Sequence, residues 1–214
     1  MDTKQRIIPV CFLAAILVIS ACNLGQSMGP KLATESTSTL PSMPEPTSMP
    51  TLTPEPTSTP IPPFTLTSTA FKEGETIPHK YVYGMGSQCN GPNYSPPLSW
   101  IGTPAGTQSF AVIMHDPDGG NWVHWVQFDI PGDLSELPEE VGGPDIGIKG
   151  INNFQKVRYG GPCPPSGAHR YIFTLYALDT LLSLSKGATK AEVEAAMQGH
   201  ILQQAQLMGM VKSR

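Results

Sequence analysis

Residues 115 to 125, HDPDGGNWVHW, gather two histidines, two aspartates and two tryptophans into eleven positions. The charged fraction of the whole chain is only 14%. A carboxylate beside an imidazole raises the proton affinity of the ring and fixes its tautomer. Such a pair can orient a ligand, hold a metal or act as a general base. A second stretch, RYGGPCPPSGAHRY (158–171), combines glycines and prolines into a rigid loop whose backbone N–H groups could face a ligand, and then delivers His169, Arg170 and Tyr171. Arg170 is expected to pair with a structural carboxylate. Zinc could use His115, Asp116, Asp118, His124 and His169. Adjacent strand residues point to opposite faces, so His115 and Asp116 should not converge, and no metal is expected. A nucleophilic hydrolase would need Ser99 or Ser166 beside a histidine and an aspartate. Neither serine lies in a nucleophile-elbow pattern, and Cys163 sits among prolines without an evident base.

These residues need strands to hold them. SFAVIMHD (109–116), WVHWVQFDIP (122–131) and HRYIFTLYALD (169–179) are β-branched and aromatic runs bounded by Pro, Gly and Asp. Gly119-Gly120-Asn121 turns the chain between the first two, and a hairpin-like return would bring His124 back towards Asp116 and Asp118. Simple alternation puts Trp122, His124 and Val126 on one face, with Val123 and Trp125 on the other. The third run is apolar on both faces, as suits a strand inside a layered structure. From Thr189 onwards the pattern changes. Thr189 and Glu192 have capping-box spacing, and Val193, Met197, Ile201 and the 207–211 group recur at helical intervals. One long terminal helix is predicted, packed on a mainly β domain.

The rest of the 214-residue chain sets the context. A net charge of −4 and a pI near 5.7 leave no basic footprint for nucleic acid. Lys4 and Arg6 precede the apolar run IIPVCFLAAILVIS and then Ala21-Cys22, the layout of an export signal too short for a comfortable membrane span. Ile19-Ser20-Ala21-Cys22 resembles the lipobox of bacterial lipoproteins, in which Cys22 would carry the lipid. Residues 1–22 are therefore expected to be a lipoprotein signal peptide and residues 23–63, rich in Pro, Ser and Thr, a disordered linker. At ~3.1 Å per residue such a linker could reach on the order of 120 Å. The folded domain is expected over 64–214, exported and lipid-anchored in a bacterial envelope. Cys89 and Cys163 remain within it, either disulfide-bonded or as two buried thiols.

DPD followed by WVHW, and YGGPCPP followed by HRYIFTLYALD, resemble the two signature regions of the phosphatidylethanolamine-binding protein (PEBP) family. The resemblance is to its bacterial, Raf-kinase-inhibitor-like branch. SQCNGPNYSPPLSW (87–100) and GHILQQAQLMG near the C-terminus are similar to that branch as well. The resemblance implies a mainly antiparallel β-sandwich with peripheral helices, including the C-terminal one, and a small anion pocket. That pocket would be built from Asp116, Asp118, Trp122, His124, Gly161, His169 and Tyr171, with Pro162 to Pro165 as a wall. Family pockets accept phosphate-like groups such as a phospholipid head group. A protonated imidazole, the Tyr171 hydroxyl and backbone N–H groups would contact the anion, while the aspartates orient the histidines from behind. The loop after DPD and the loop before HRY are both shorter than is usual in the family, and both would border the pocket mouth. The expected function is non-catalytic anion binding without a cofactor. The alternatives are inhibition of an extracytoplasmic protein target such as a protease, or a hydrolase.

Overall fold

The computed structural model describes residues 62–84 and 89–213. All of them fall in one compact unit, Pro56–Arg214. The expected signal peptide with Cys22, and linker residues 23–61, lie outside the described residues. No described helix is long and apolar enough to cross a membrane.

The fold is mainly β. Five antiparallel strands form the principal sheet in the order β10 (Ile201–Lys212), β9 (Ala168–Leu178), β4 (Ser109–Asp116), β5 (Trp122–Pro131) and β8 (Ile148–Lys149). A three-stranded sheet combines β1 (Thr65–Thr67), β3 (Leu98–Ile101) and β6 (Glu136–Leu137). A two-stranded ladder joins β2 (Tyr94–Ser95) to β7 (Glu140–Val141).

Both faces of the central strands are buried, as the apolar runs predict. From β9, Tyr171, Phe173, Leu175 and Ala177 join one core with Leu66, Trp100, Phe110 and Trp125. On the opposite face, Ala111, Ile113, Val126, Phe128 and Leu178 pack with Val193 and Met197 of helix α1 (Lys190–Met197). Each fully buried aliphatic or aromatic side chain contributes about 1.5–3 kcal/mol, so this two-sided core is the main stabilising term.

Helix α1 begins as the sequence predicts, with a reciprocal Thr189–Glu192 capping box, but it is short. Gly199 takes φ +81°, and residues 201–212 form β10 against β9 instead of continuing the helix. Ala205, Leu207, Gly209 and Val211 are buried at every second position. That period-2 pattern, hidden by an intervening Gln-rich stretch, outweighs the helical spacing.

A second difference lies at the hairpin. β4 and β5 pair Asp116 with Trp122 and His115 with Val123, but Met114 with Trp125. His124 is therefore the extra residue of a β-bulge, which re-aims side chains and is frequent beside functional sites. The simple alternation fails here. His124 and Trp125 both serve the first core's side of the sheet, whereas Val126 faces the helix.

Candidate ligand-binding site

Asp116 ends β4 with its carboxylate buried. Its Oδ1 accepts the Gly119 N–H at 2.8 Å, and its Oδ2 accepts the His169 Nδ1–H at 2.7 Å. The turn that returns the chain needs left-handed backbone at Gly120 (φ +71°) and Asn121 (φ +60°). The short Gly-Gly-Asn connection thus closes the hairpin directly over the carboxylate.

His124, 3% exposed, donates from Nδ1 to the carbonyls of Gly160 at 2.7 Å and Gly161 at 3.0 Å. Those acceptors fix the proton on Nδ1, which leaves the Nε2 lone pair available to a ligand. Burial, only partly offset by these carbonyls and by Asp116, pushes its pKa down to about 4. The ring stands edge-on to Tyr171 and Phe154, with centroids 5.2 and 5.5 Å away.

The glycine- and proline-rich segment is a strap rather than an open nest. Gly160 N–H donates to the His124 carbonyl at 2.9 Å, and Gly161 N–H donates to Asn93 Oδ1 at 2.7 Å. Of the strap's backbone donors, these two are used internally. Gly161 must be glycine, since a Cβ there would lie 2.1 Å from the Tyr81 carbonyl oxygen. Asn152 Nδ2 bonds the Arg158 carbonyl at 2.7 Å. A disulfide joins Cys163 to Cys89, with Cα atoms 5.7 Å apart, and resolves the choice between a bridge and two thiols.

Tyr171, on β9, is completely enclosed, and its hydroxyl makes no formed hydrogen bond. Its polar neighbours are the Asp116 carboxylate and the Cys163 backbone, and burial raises its pKa well above the usual tyrosine value. It is a neutral donor whose nearest acceptor is the Asp116 carboxylate.

Asp116, Gly119, Trp122, His124, Phe154, Cys163 and Pro165 line a cavity of about 290 Å³. Of the predicted site residues, Asp116, Trp122 and His124 form its wall directly. Tyr171 stands behind His124, His169 acts through Asp116, and Gly161 supports His124 by its carbonyl. Asp118 does not join them. It accepts the Arg170 backbone N–H at 2.8 Å and the guanidinium through Nε at 3.1 Å and Nη2 at 2.7 Å. That pairing holds its pKa at about 2. The expected structural partner of Arg170 is thus Asp118 itself, and only one aspartate stands behind a histidine.

Phe154 was not anticipated, because a lone aromatic in INNFQKV carries no periodic signal. Asn93 was missed although its motif, NGPNYSPP, was singled out. His115 faces the other side of the sheet near Lys190 and Glu194, and burial lowers its pKa. No group of three or more metal-binding side chains converges among the described residues. Ser99 lies in β3 of the other sheet, and Ser166 in an exposed loop.

The comparisons agree with this architecture. The family model for phosphatidylethanolamine-binding protein matches residues 67–212. A UPF0098 protein of Methanothermobacter thermautotrophicus is 46% identical over 153 residues, covering 69% of this chain and 97% of its own. The UPF0098 protein YbhB of Escherichia coli is 39% identical over 156 residues, covering 68% and 98%. Among solved structures, Escherichia coli YbcL, described as a member of the mammalian PEBP family, superposes with TM-score 0.66 at 33% identity, covering 71% of this chain and 99% of its own. A PEBP homologue from Chlamydia trachomatis gives 0.63 at 38% identity, covering 71% and 98%. The chain belongs to the phosphatidylethanolamine-binding protein family.

Proposed function

We propose that the domain binds a small phosphate-like anion, such as a phospholipid head group, in the His124 cavity without turning it over. The observation that carries this reading is the buried His124 imidazole in the cavity wall, held at Nδ1 by the Gly160 and Gly161 carbonyls and unengaged at Nε2. The Tyr171 hydroxyl beside it would exchange the Asp116 carboxylate for an acceptor oxygen of the ligand. The negative Asp116 nearby disfavours a dianion, so a monoanion or diester fits best, and His124 would take up a proton as it binds. Trp122, Phe154 and Pro165 supply an apolar wall for the remainder of the molecule. Among the described residues no histidine is hydrogen-bonded to a serine, which favours binding over hydrolysis.

The site would work outside the cytoplasm, held to a membrane by lipid on Cys22 and a proline-rich tether. The N-terminal sequence supports this part of the reading. Fatty-acid labelling of the full chain, abolished by Cys22→Ala, would bear it out.

The binding reading is tested by calorimetric titration of residues 62–214 with inorganic phosphate, phosphoethanolamine and glycerophosphoethanolamine. Saturable uptake of at least one is expected, with no phosphate released from the esters. Heats at the dilution baseline for all three, or catalytic release of phosphate, would sink it.

A further inference from the structure

The Cys89–Cys163 bridge has one cysteine in the wall of each of two hollows. Cys163 and Pro165 belong to the His124 cavity. Cys89 and Pro164 belong to a second depression of about 200 Å³, which Thr76, His79, Asn90 and Lys212 also border. The two cysteines differ in access. Cys89 is 4% exposed, whereas Cys163 is only partly buried against the core. Their surroundings differ in charge as well. Lys212 makes no ion pair among the described residues, and it shares a hollow with Cys89 and His79. The acidic group that shares the other hollow with Cys163 is Asp116. A disulfide exchanges fastest where a thiol can reach one sulfur and the other can depart as a stabilised thiolate, as it does beside a cation.

We propose that Cys163 is a site of thiol–disulfide exchange, reached by a small aliphatic thiol through the His124 cavity. The thiolate sulfur bonds to Cys163 Sγ, the bond between the two cysteine sulfurs breaks, and its electron pair leaves on Cys89 Sγ. Cys89 takes the proton that the thiol gave up. The incoming thiol is oxidised as Cys89 is reduced, so no further oxidant is required. The direction follows from where the charge comes to rest. Attack on Cys163 leaves it in the hollow of Lys212, whereas attack on Cys89 would leave it in the hollow of Asp116. The product carries the thiol's alkyl chain on a residue of the cavity wall and unties the strap from Cys89. That strap supplies the Gly160 and Gly161 carbonyls that hold His124, so modification and anion binding oppose each other. This opposition rests on the anion reading, but the choice of sulfur does not.

The test treats residues 62–214 with β-mercaptoethanol and stops the reaction with acid at low conversion. This span can stand alone, since whole relatives consist of little else: 97% of the Methanothermobacter protein is covered by the match. Free thiols are then alkylated in denaturant, and the modified cysteines are located by peptide mass spectrometry. The mixed disulfide is expected on Cys163 and the alkyl group on Cys89. Phosphoethanolamine at ten times the dissociation constant found by calorimetry should slow the reaction about tenfold. No adduct until the domain unfolds, adduct chiefly on Cys89, or equal adduct on both would overturn the proposal. So would an undiminished rate in the presence of phosphoethanolamine that calorimetry shows to be bound. If calorimetry shows no anion bound, the anion reading fails by itself, and the position of the adduct still decides whether Cys163 is the site.

Discussion

Tyr171 places two effects in opposition at a single hydroxyl. In the free protein the group is enclosed with only the Asp116 carboxylate and the Cys163 backbone beside it and no well-formed bond to either, so Tyr171→Phe should leave stability within about 1 kcal/mol. In the anion complex the same hydroxyl becomes a donor, and its loss should weaken phosphoethanolamine binding about 5–15-fold. Urea denaturation and calorimetry on one variant read both signs, and equal affinity would remove Tyr171 from the site. His124 gives a pH signature. Its folded pKa of about 4 lies below the usual 6.5. Above pH 6.5 neither the folded nor the unfolded ring is protonated, and stability is full. As pH falls through the window from 6.5 to 4, the unfolded chain takes up the proton first. Stability should therefore drop by about 3 kcal/mol and level off below pH 4. In His124→Gln that part of the slope should vanish, as denaturation curves at several pH values will show. Anion affinity should run the other way and strengthen as pH falls, because the bound anion favours the protonated ring.

At the scale of elements, the strap from Arg158 to Pro165 holds His124 through backbone groups, so its sequence tolerates little change. Gly161→Ala would drive a methyl into the Tyr81 carbonyl at 2.1 Å, and a loss of more than about 3 kcal/mol is expected in denaturant titration. Gly120→Ala, with open space around it but φ +71°, should lose only about 1 kcal/mol. The strands β4, β5 and β9 were legible because β-branched and aromatic runs end at Gly, Pro and Asp. The capping box was legible too, since it is a local hydrogen-bonding pattern. The fate of residues 201–212 was not, because Ile201 and the 207–211 group fit helical and strand periods alike. Only the need of β9 for a neighbour decides between them. The bulge at His124 was equally hidden. Nothing in WVHWV marks an extra residue, yet the bulge puts His124 beside Tyr171 instead of in phase with Val126. Asp116 and His124 could be chosen from type and spacing, whereas Asp118 could not be excluded until its pairing with Arg170 was seen.

For the whole molecule, the Cys89–Cys163 bridge ties the strap to the segment before β2 and spans 74 residues of sequence. Closing a loop of that length removes unfolded-state entropy worth about 4 kcal/mol at most. The double variant Cys89→Ser/Cys163→Ser should unfold about 2–4 kcal/mol more easily in urea and bind anion less tightly, because Cys163 lines the cavity. Unchanged stability would mean that the strap is held by its hydrogen bonds alone. On the proposed reading, a tethered domain would have to grip a head group wherever the linker carries it, so that reading rests on the cavity. Its most direct test is thermal unfolding of residues 62–214 with and without phosphoethanolamine, beside His124→Ala. Ligand at a hundred times its dissociation constant stabilises by about 2.7 kcal/mol, a rise of roughly 5–10 °C for a domain of this size. That rise is expected in the natural protein and should be lost in the variant. A rise of equal size in both proteins, or none in either, would contradict an anion site at His124.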